Sequence, residues 1–270
     1  MNSEMKLLIA IIVAMGAGGY GYYLYSSATT GTIKEPTEAV KPQQFAETTD
    51  TQAQFPVPKN FRKSSDNEED GSPFTLPQLE QSDESIASAL AEITDRTLIE
   101  QLFNSHDFIR SVVVTVDNLT KSNVPPQFLP VKPPTGEFLT DKKELEISDQ
   151  NYLRYEPYVS FAEKINLNRL GRIYVRYYPL FQRVYLESAG SGYFNDRLVQ
   201  VVDSLLKTPD ILETIRVKKA IVSFKYSDQK IESLNAGQKI MIRMGTKNST
   251  RMKEVLRKLR GKLVNLADEL

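Results

Sequence analysis

Apolar residues fall into three regimes along the chain: an unbroken run, a sparse stretch, and a long region where they recur every three or four positions. The run is Leu7 to Tyr25, LLIAIIVAMGAGGYGYYLY, nineteen residues without a charge. At about 1.5 Å rise per residue a helix of that length matches the roughly 30 Å of bilayer hydrocarbon and satisfies its own backbone there. It predicts a transmembrane anchor over 7–25. Tyr20, Tyr22, Tyr23 and Tyr25 gather at its far end, where phenols favour the headgroup level, while Lys6 and the amino terminus flank the near end. That asymmetry predicts a short cytoplasmic tail over 1–6 and a remainder on the other side of the membrane. The competing reading is a cleavable signal peptide with Ser26 and Ala28 before the cut; the length of the run and the four tyrosines favour the anchor. Ala10, Ala14 and Gly18 recur every fourth position, as do Ala17 and Gly21. Such spacing suits a homodimer of spans, although small residues are common in membrane helices in general.

The sparse stretch runs over 26–74. It is rich in Thr, Gln, Glu, Pro and Ser, carries single aromatics such as Phe45, Phe55 and Phe61, and predicts a disordered linker. A flexible chain of about 48 residues reaches about 40 Å, enough to hold a domain clear of a bilayer.

Helical spacing then dominates 75–270. Ser82 reads as an N-cap before Ile86, Leu90 and Ile93; Asp95 before Leu98, Leu102 and Phe103; Ser105 before Phe108, Ile109, Val112, Val113 and Val116. The third segment also has strand propensity, and the helix is favoured because it follows a cap. Five prolines in 124–134 predict an extended connector. Helices resume over Asn151–Ile165 and, after a cap at Asn166, through Leu170, Ile173, Tyr177, Leu180, Phe181 and Val184, with Pro179 expected to kink or break the second. Gly190 and Gly192 mark a turn, and Asn195 reads as the cap of a helix ended by Pro209. Val217–Tyr226 is the strand candidate, with Glu137–Leu139 or Leu145–Ile147 as its partner. Ile231–Met244 and Asn248–Leu266 close the chain as helices around Gly245. The fold class is mostly α: a single transmembrane helix, a disordered linker, then a helical domain with a small β element.

Charge adds a gradient that the zero net total conceals. From 34 to 100 there are 14 acidic and 6 basic residues, and from 201 to 270 there are 15 basic and 8 acidic. Over 239–262 nine Lys or Arg face the single acid Glu254. Such a helix suits an anionic lipid, an acidic wall polymer or an acidic protein face, and equally a solvated face balanced by acids elsewhere in the domain. There is no cysteine, which removes disulfides and thiol chemistry, and one histidine, His106, which has no second histidine or cysteine to work with.

Several strings occur in an order and spacing that resembles an uncharacterised bacterial family, domain of unknown function 3014. They are Asp117-Asn118-Leu119, Asn151-Tyr152-Leu153-Arg154-Tyr155, Tyr178-Pro179-Leu180, Phe194-Asn195-Asp196-Arg197, Leu205-Leu206-Lys207-Thr208-Pro209, and Ala236-Gly237-Gln238-Lys239 with Arg243-Met244-Gly245. Together they cover roughly residues 76 to 262. The resemblance implies a single anchor followed by a periplasmic domain, and it implies no activity.

Candidate chemistry is mostly that of binding. Arg154 stands among Tyr152, Tyr155 and Tyr158, and Arg176 between Tyr174 and Tyr177, which pairs planar donors with rings. Tyr152, Arg154, Tyr155 and Arg176, with Asn195, Asp196, Arg197, Gln238, Lys239, Arg243, Arg257, Lys258 and Arg260, form the candidate partner surface; the alternative is that the tyrosines line a core and the 195–197 triplet pins a helix. Glu156, Asp196 and Asp203 are the candidate acids of a glycan-cleaving reaction, but nothing in the sequence supplies the separation that such a pair needs. No catalytic residue, cofactor or metal site is expected, and nucleic acid is not an expected partner. The expectation is a non-enzymatic protein of the bacterial inner membrane, its C-terminal domain periplasmic, that contacts an envelope protein or peptidoglycan. The alternative is a cell-wall hydrolase or a regulator of one.

Overall fold

The first three helices, α1 (Ser82–Ala91), α2 (Arg96–Leu102) and α3 (Phe108–Asn118), are tied together by a carboxylate from the first that caps the third. Asp83 accepts the backbone amides of Asp107 at 2.7 Å and Phe108 at 2.9 Å, while Asp107 itself turns through φ 49°. These are elements of a computed structural model that describes residues 52–58, 74–141, 145–220 and 224–269. Asp95 caps α2 as expected, accepting from Thr97 N at 2.7 Å. Ser82 and Ser105 do not cap. Ser82 is already inside α1 and donates its hydroxyl back to Leu79 O at 2.7 Å, and the duty expected of Ser105 has passed to Asp83.

Helix, not strand, is what 108–118 forms. Seven of its eleven residues are buried because α3 packs against two long helices at once, those over Leu167–Ala189 and Phe194–Leu206. The ambiguity came from the β-branched run Val112–Val116, which suits a strand as well as a buried helix. The proline-rich connector then crosses the domain with one short 3-10 turn, Pro126–Phe128, and bridges back to Phe103 through Val131.

The stretch expected as one helix over 151–165 is two, α4 (Gln150–Leu153) and α5 (Glu156–Lys164), with Pro157 in the first turn of the second. Helix α6 (Leu167–Ala189) begins at its expected cap, with Asn166 accepting from Arg169 N at 3.5 Å, and ends at Gly190, where φ is 77°. Pro179 does not break it. The proline ring lies on the exposed face, and the helix runs on through it. Helix α7 (Phe194–Leu206) takes its cap from Gln182 of α6, whose Oε1 accepts Phe194 N at 2.8 Å.

The single strand expected over Val217–Tyr226 is a hairpin: β1 (Val217–Lys219) pairs antiparallel with β2 (Phe224–Tyr226), Val217 opposite Tyr226. Leu145–Ile147 runs beside β1 as one of the two expected partners. Ile147 N donates to Ile215 O and Val217 N to Leu145 O, both at 2.9 Å. The final helices also divide, into α8 (Gln229–Glu232), α9 (Ala236–Arg243), α10 (Thr246–Val264) and α11 (Leu266–Glu269). Helix α10 packs on α5, α6 and α7, and this helical layer encloses the main core. Ile147, Ile215, Val217, Tyr226, Ile231 and Ile242 form a separate, smaller core under the hairpin.

The result is a mostly helical domain with a two-stranded sheet. Among the described residues no helix is long and apolar enough to cross a membrane. The expected anchor over 7–25 and tail over 1–6 lie outside the described residues, as does most of the expected linker. One part of that linker is not free of the domain: residues 52–58 are seated on it, and Phe55 and Val57 pack against the main core.

Candidate functional site

The seat of residues 52–58 is built where the start of α7 meets α6 and the end of α10. Asp196, in the first turn of α7, accepts Gln54 N at 3.0 Å and Phe55 N at 2.8 Å, one on each carboxylate oxygen. The preceding residue completes the grip. Asn195 is fully buried; its Nδ2 donates to Phe55 O at 2.9 Å and to Leu263 O at 3.1 Å, and its Oδ1 accepts the hydroxyl of Tyr174 at 3.2 Å. Asn195 was expected to cap α7. It reads a neighbouring segment and ties three elements together, because Gln182 already meets the helix end.

Along the seated segment exposure alternates: Ala53, Phe55 and Val57 are half-buried, while Gln52, Gln54 and Pro56 face out. The chain bends at Gln54 and Phe55, which turns two successive amides toward one carboxylate. The cradle therefore takes two successive amides and a carbonyl from the main chain, and two alternate side chains from one face. Reading a backbone this way gives affinity without demanding a particular sequence, and specificity falls to the side chains between. Phe55 appeared in the sequence as an isolated aromatic. The signal that marks it is the alternation Ala53, Phe55, Val57 with Pro56 and Pro58 between and after.

The remaining candidate residues do not converge on this cradle. Arg197, next in sequence, turns the other way: Nε donates to Asp117 Oδ1 at 3.1 Å, and Nη2 to Asp117 O and Thr120 Oγ1, both at 2.6 Å. It pins α7 to α3. Arg154 is a loop clamp, with Nε donating to Thr135 O at 3.0 Å and Nη2 to Pro134 O at 3.2 Å and Gly136 O at 2.8 Å. Arg176 lies over the ring of Phe74, 5.0 Å from its centroid. Tyr155 is buried, and that burial pushes its hydroxyl up to about 12 against the pull of Arg243. Arg243 in turn lies 5.6 Å from the Tyr226 ring centroid. Tyr152 is half-buried against Gly245, and its hydroxyl is raised by burial and then by Asp149. Gln238 donates to Ser204 O at 3.2 Å, holding α9 on α7. Lys239 faces Glu232, with its ammonium lowered by burial more than Glu232 raises it.

The basic helix divides into paired and unpaired members. Arg251 holds Glu156 and Glu163, its Nη1 donating to both Glu156 oxygens at 2.8 and 2.7 Å and Nε to Glu163 Oε1 at 2.8 Å. Lys253 is 6% exposed and donates to Thr208 O at 2.7 Å and Asp210 Oδ1 at 2.6 Å. Arg260 pairs with Asp203 at 2.5 Å. Arg257 and Lys258 are exposed and form no ion pair among the described residues.

These pairings bear on the three candidate acids. Glu156 accepts from Arg251 and from the Ser160 hydroxyl at 2.9 Å, and the Arg251 bonds hold it below the usual carboxylate range, the wrong direction for a proton donor. Asp196 has both oxygens on backbone amides, and Asp203 is taken by Arg260.

A family model described as "Protein of unknown function (DUF3014)" matches residues 108–260, which include Asn195 and Asp196 but not the segment they hold. Comparison with curated proteins and with solved structures finds no match. With more than half of its length matched, the chain belongs to the DUF3014 family.

Proposed function

We propose that this chain is a non-enzymatic adaptor of the bacterial envelope, anchored in the inner membrane by residues 7–25 and carrying a periplasmic domain that binds another envelope protein. The observation that carries the reading is the Asn195–Asp196 cradle, which holds a bent segment through its main chain while Glu156, Asp196 and Asp203 are each engaged in bonds within the protein. Main-chain recognition suits a protein partner better than a glycan. Arg257 and Lys258 add a small cationic face on α10 suited to an acidic partner surface.

The test is in-cell capture of the full-length protein with a short cross-linker, comparing wild type with the Arg257→Glu/Lys258→Glu variant. Arg260 is left in place because reversing it would strand Asp203. One dominant envelope protein, captured more weakly by the variant at equal abundance, is the expected result. Cross-linked glycan without a protein would make the domain a wall-binding module. Soluble muropeptides released from purified wall by the full-length protein, and lost in Glu156→Gln, would overturn the reading in favour of a hydrolase.

A further inference from the structure

The segment in the cradle belongs to the chain itself, and its fit is partial. Phe55 and Val57 are only half-buried, and Gln52, Gln54 and Pro56 point away from the domain. Three main-chain hydrogen bonds and four partly covered side chains, Ala53, Phe55, Val57 and Pro58, make a modest interface. Such a segment has the advantage of belonging to the same chain, with residues 59–73 joining it to Phe74, so its seating is intramolecular.

Removing it would leave a prepared site. Asn195 would keep its bonds to Tyr174 and Leu263 and so hold its orientation, with Nδ2 still aimed at the place of the Phe55 carbonyl. The Asp196 carboxylate would stand at the start of α7, where the helix dipole favours the anion, with both oxygens open to main-chain amides.

Resting on the adaptor reading above, we propose that this cradle is the partner site: it takes a segment of another protein that bends as residues 54–55 do and bears an aromatic residue and, two positions on, a β-branched residue, and residues 52–58 are its built-in competitor. A partner segment with larger side chains at those two positions buries more apolar surface at the same main-chain bonds and displaces the tethered one. A second copy of the chain offers only the same side chains, with no such advantage over the tethered copy.

The experiment uses full-length protein and a fluorescent peptide spanning residues 50–60, followed by polarisation. The Phe55→Ser/Val57→Ser variant, with its own segment weakened, is expected to bind the peptide at least tenfold more tightly than wild type. A peptide carrying Trp for Phe55 and Ile for Val57 is expected to bind wild type more tightly than the native-sequence peptide. N-methylation at the Gln54 and Phe55 amides, or Asp196→Ala in the protein, is expected to abolish binding. Equal binding to wild type and the serine variant would overturn the proposal. So would undiminished binding of the N-methylated peptide, or no binding to a serine variant that still unfolds cooperatively. A dimer cross-linked from segment to cradle would give the site to a second copy and overturn the separate partner. If the peptide fails while the envelope protein is still captured, the adaptor reading stands and its contact lies elsewhere.

Discussion

Gly245 stands against the face of Tyr152: a Cβ at position 245 would lie 2.6 Å from Tyr152 Cγ and 2.7 Å from Cδ1, and the glycine turns through φ 83°. This contact closes the corner between α9 and α10 onto α4. Gly245→Ala combines a left-handed backbone, worth about 1–3 kcal/mol of strain, with an overpacked ring, worth about 1–3 kcal/mol more. Its urea midpoint is expected to fall accordingly. Tyr152→Ala in the same chain should remove the packing part, so the double variant loses less than the sum of the two single ones. Strict additivity would mean that the ring and the glycine do not meet.

Asp83 is the second point where one residue decides the course of the chain. Its two bonds cap α3 from another helix, and a cap lost to alanine costs about 0.5–2 kcal/mol. Asp83→Ala should lie at the upper end, since two amides lose their acceptor together. Asp83→Asn, which keeps one acceptor, should fall between. Amide exchange at Asp107 and Phe108 is expected to speed up ahead of the rest of α3; exchange uniform along α3 would count against local capping.

Acid should act through Glu156. Its pKa is lowered in the folded state, first by the Arg251 hydrogen bonds, so its stabilising contribution is present above the ordinary value of 4.5 and is lost as pH falls through the folded value. The pair is substantially exposed, 24% for Arg251 and 45% for Glu156, so screening keeps the effect small. The stability gap between wild type and Glu156→Gln is expected to narrow below about pH 4.5 and to narrow further at 1 M salt. A gap that is constant between pH 3 and pH 7 would remove the ion pair from the stability of α5 against α10.

What the sequence made legible follows from how local each signal is. Helix α6 has its cap, its stripe and its terminal glycine within its own residues, and each acts as expected. The hairpin was hidden because the alternation over 217–226 carries no Gly, Pro, Asn or Asp to divide it. Arg154 drew attention as a cation among tyrosines, yet its partners are the carbonyls of residues 134–136, and carbonyls leave no trace in a side-chain pattern. The basic run of α10 could not be sorted into paired Arg251, Lys253 and Arg260 and unpaired Arg257 and Lys258 without the helices opposite. Asn195 and Asp196 were visible as candidates, but their occupant was not, because it lies some 140 positions upstream in a stretch whose composition reads as linker.

Asn195→Asp is the sharpest test of how that cradle is held. The buried amide donates to two carbonyl oxygens; a carboxylate there would face both with no proton to give, in a site with no exposure to water. The carboxylate would keep the Tyr174 hydroxyl as its one donor but have no opposite charge, and an uncompensated buried charge costs about 3–5 kcal/mol, so the variant should be strongly destabilised at neutral pH. The burial raises the new carboxyl's pKa, so its penalty is absent below the unfolded value of about 3.9 and grows as pH rises toward the folded one. Relative to wild type, the variant should therefore recover part of its loss at pH 4. The recovery is incomplete, because one hydroxyl proton serves only one of the two carbonyls. Asn195→Leu, which carries no charge, should show no such recovery, and a pH-independent loss in both variants would mean that the cradle opens to water and that Asn195 is not the buried hinge of the site.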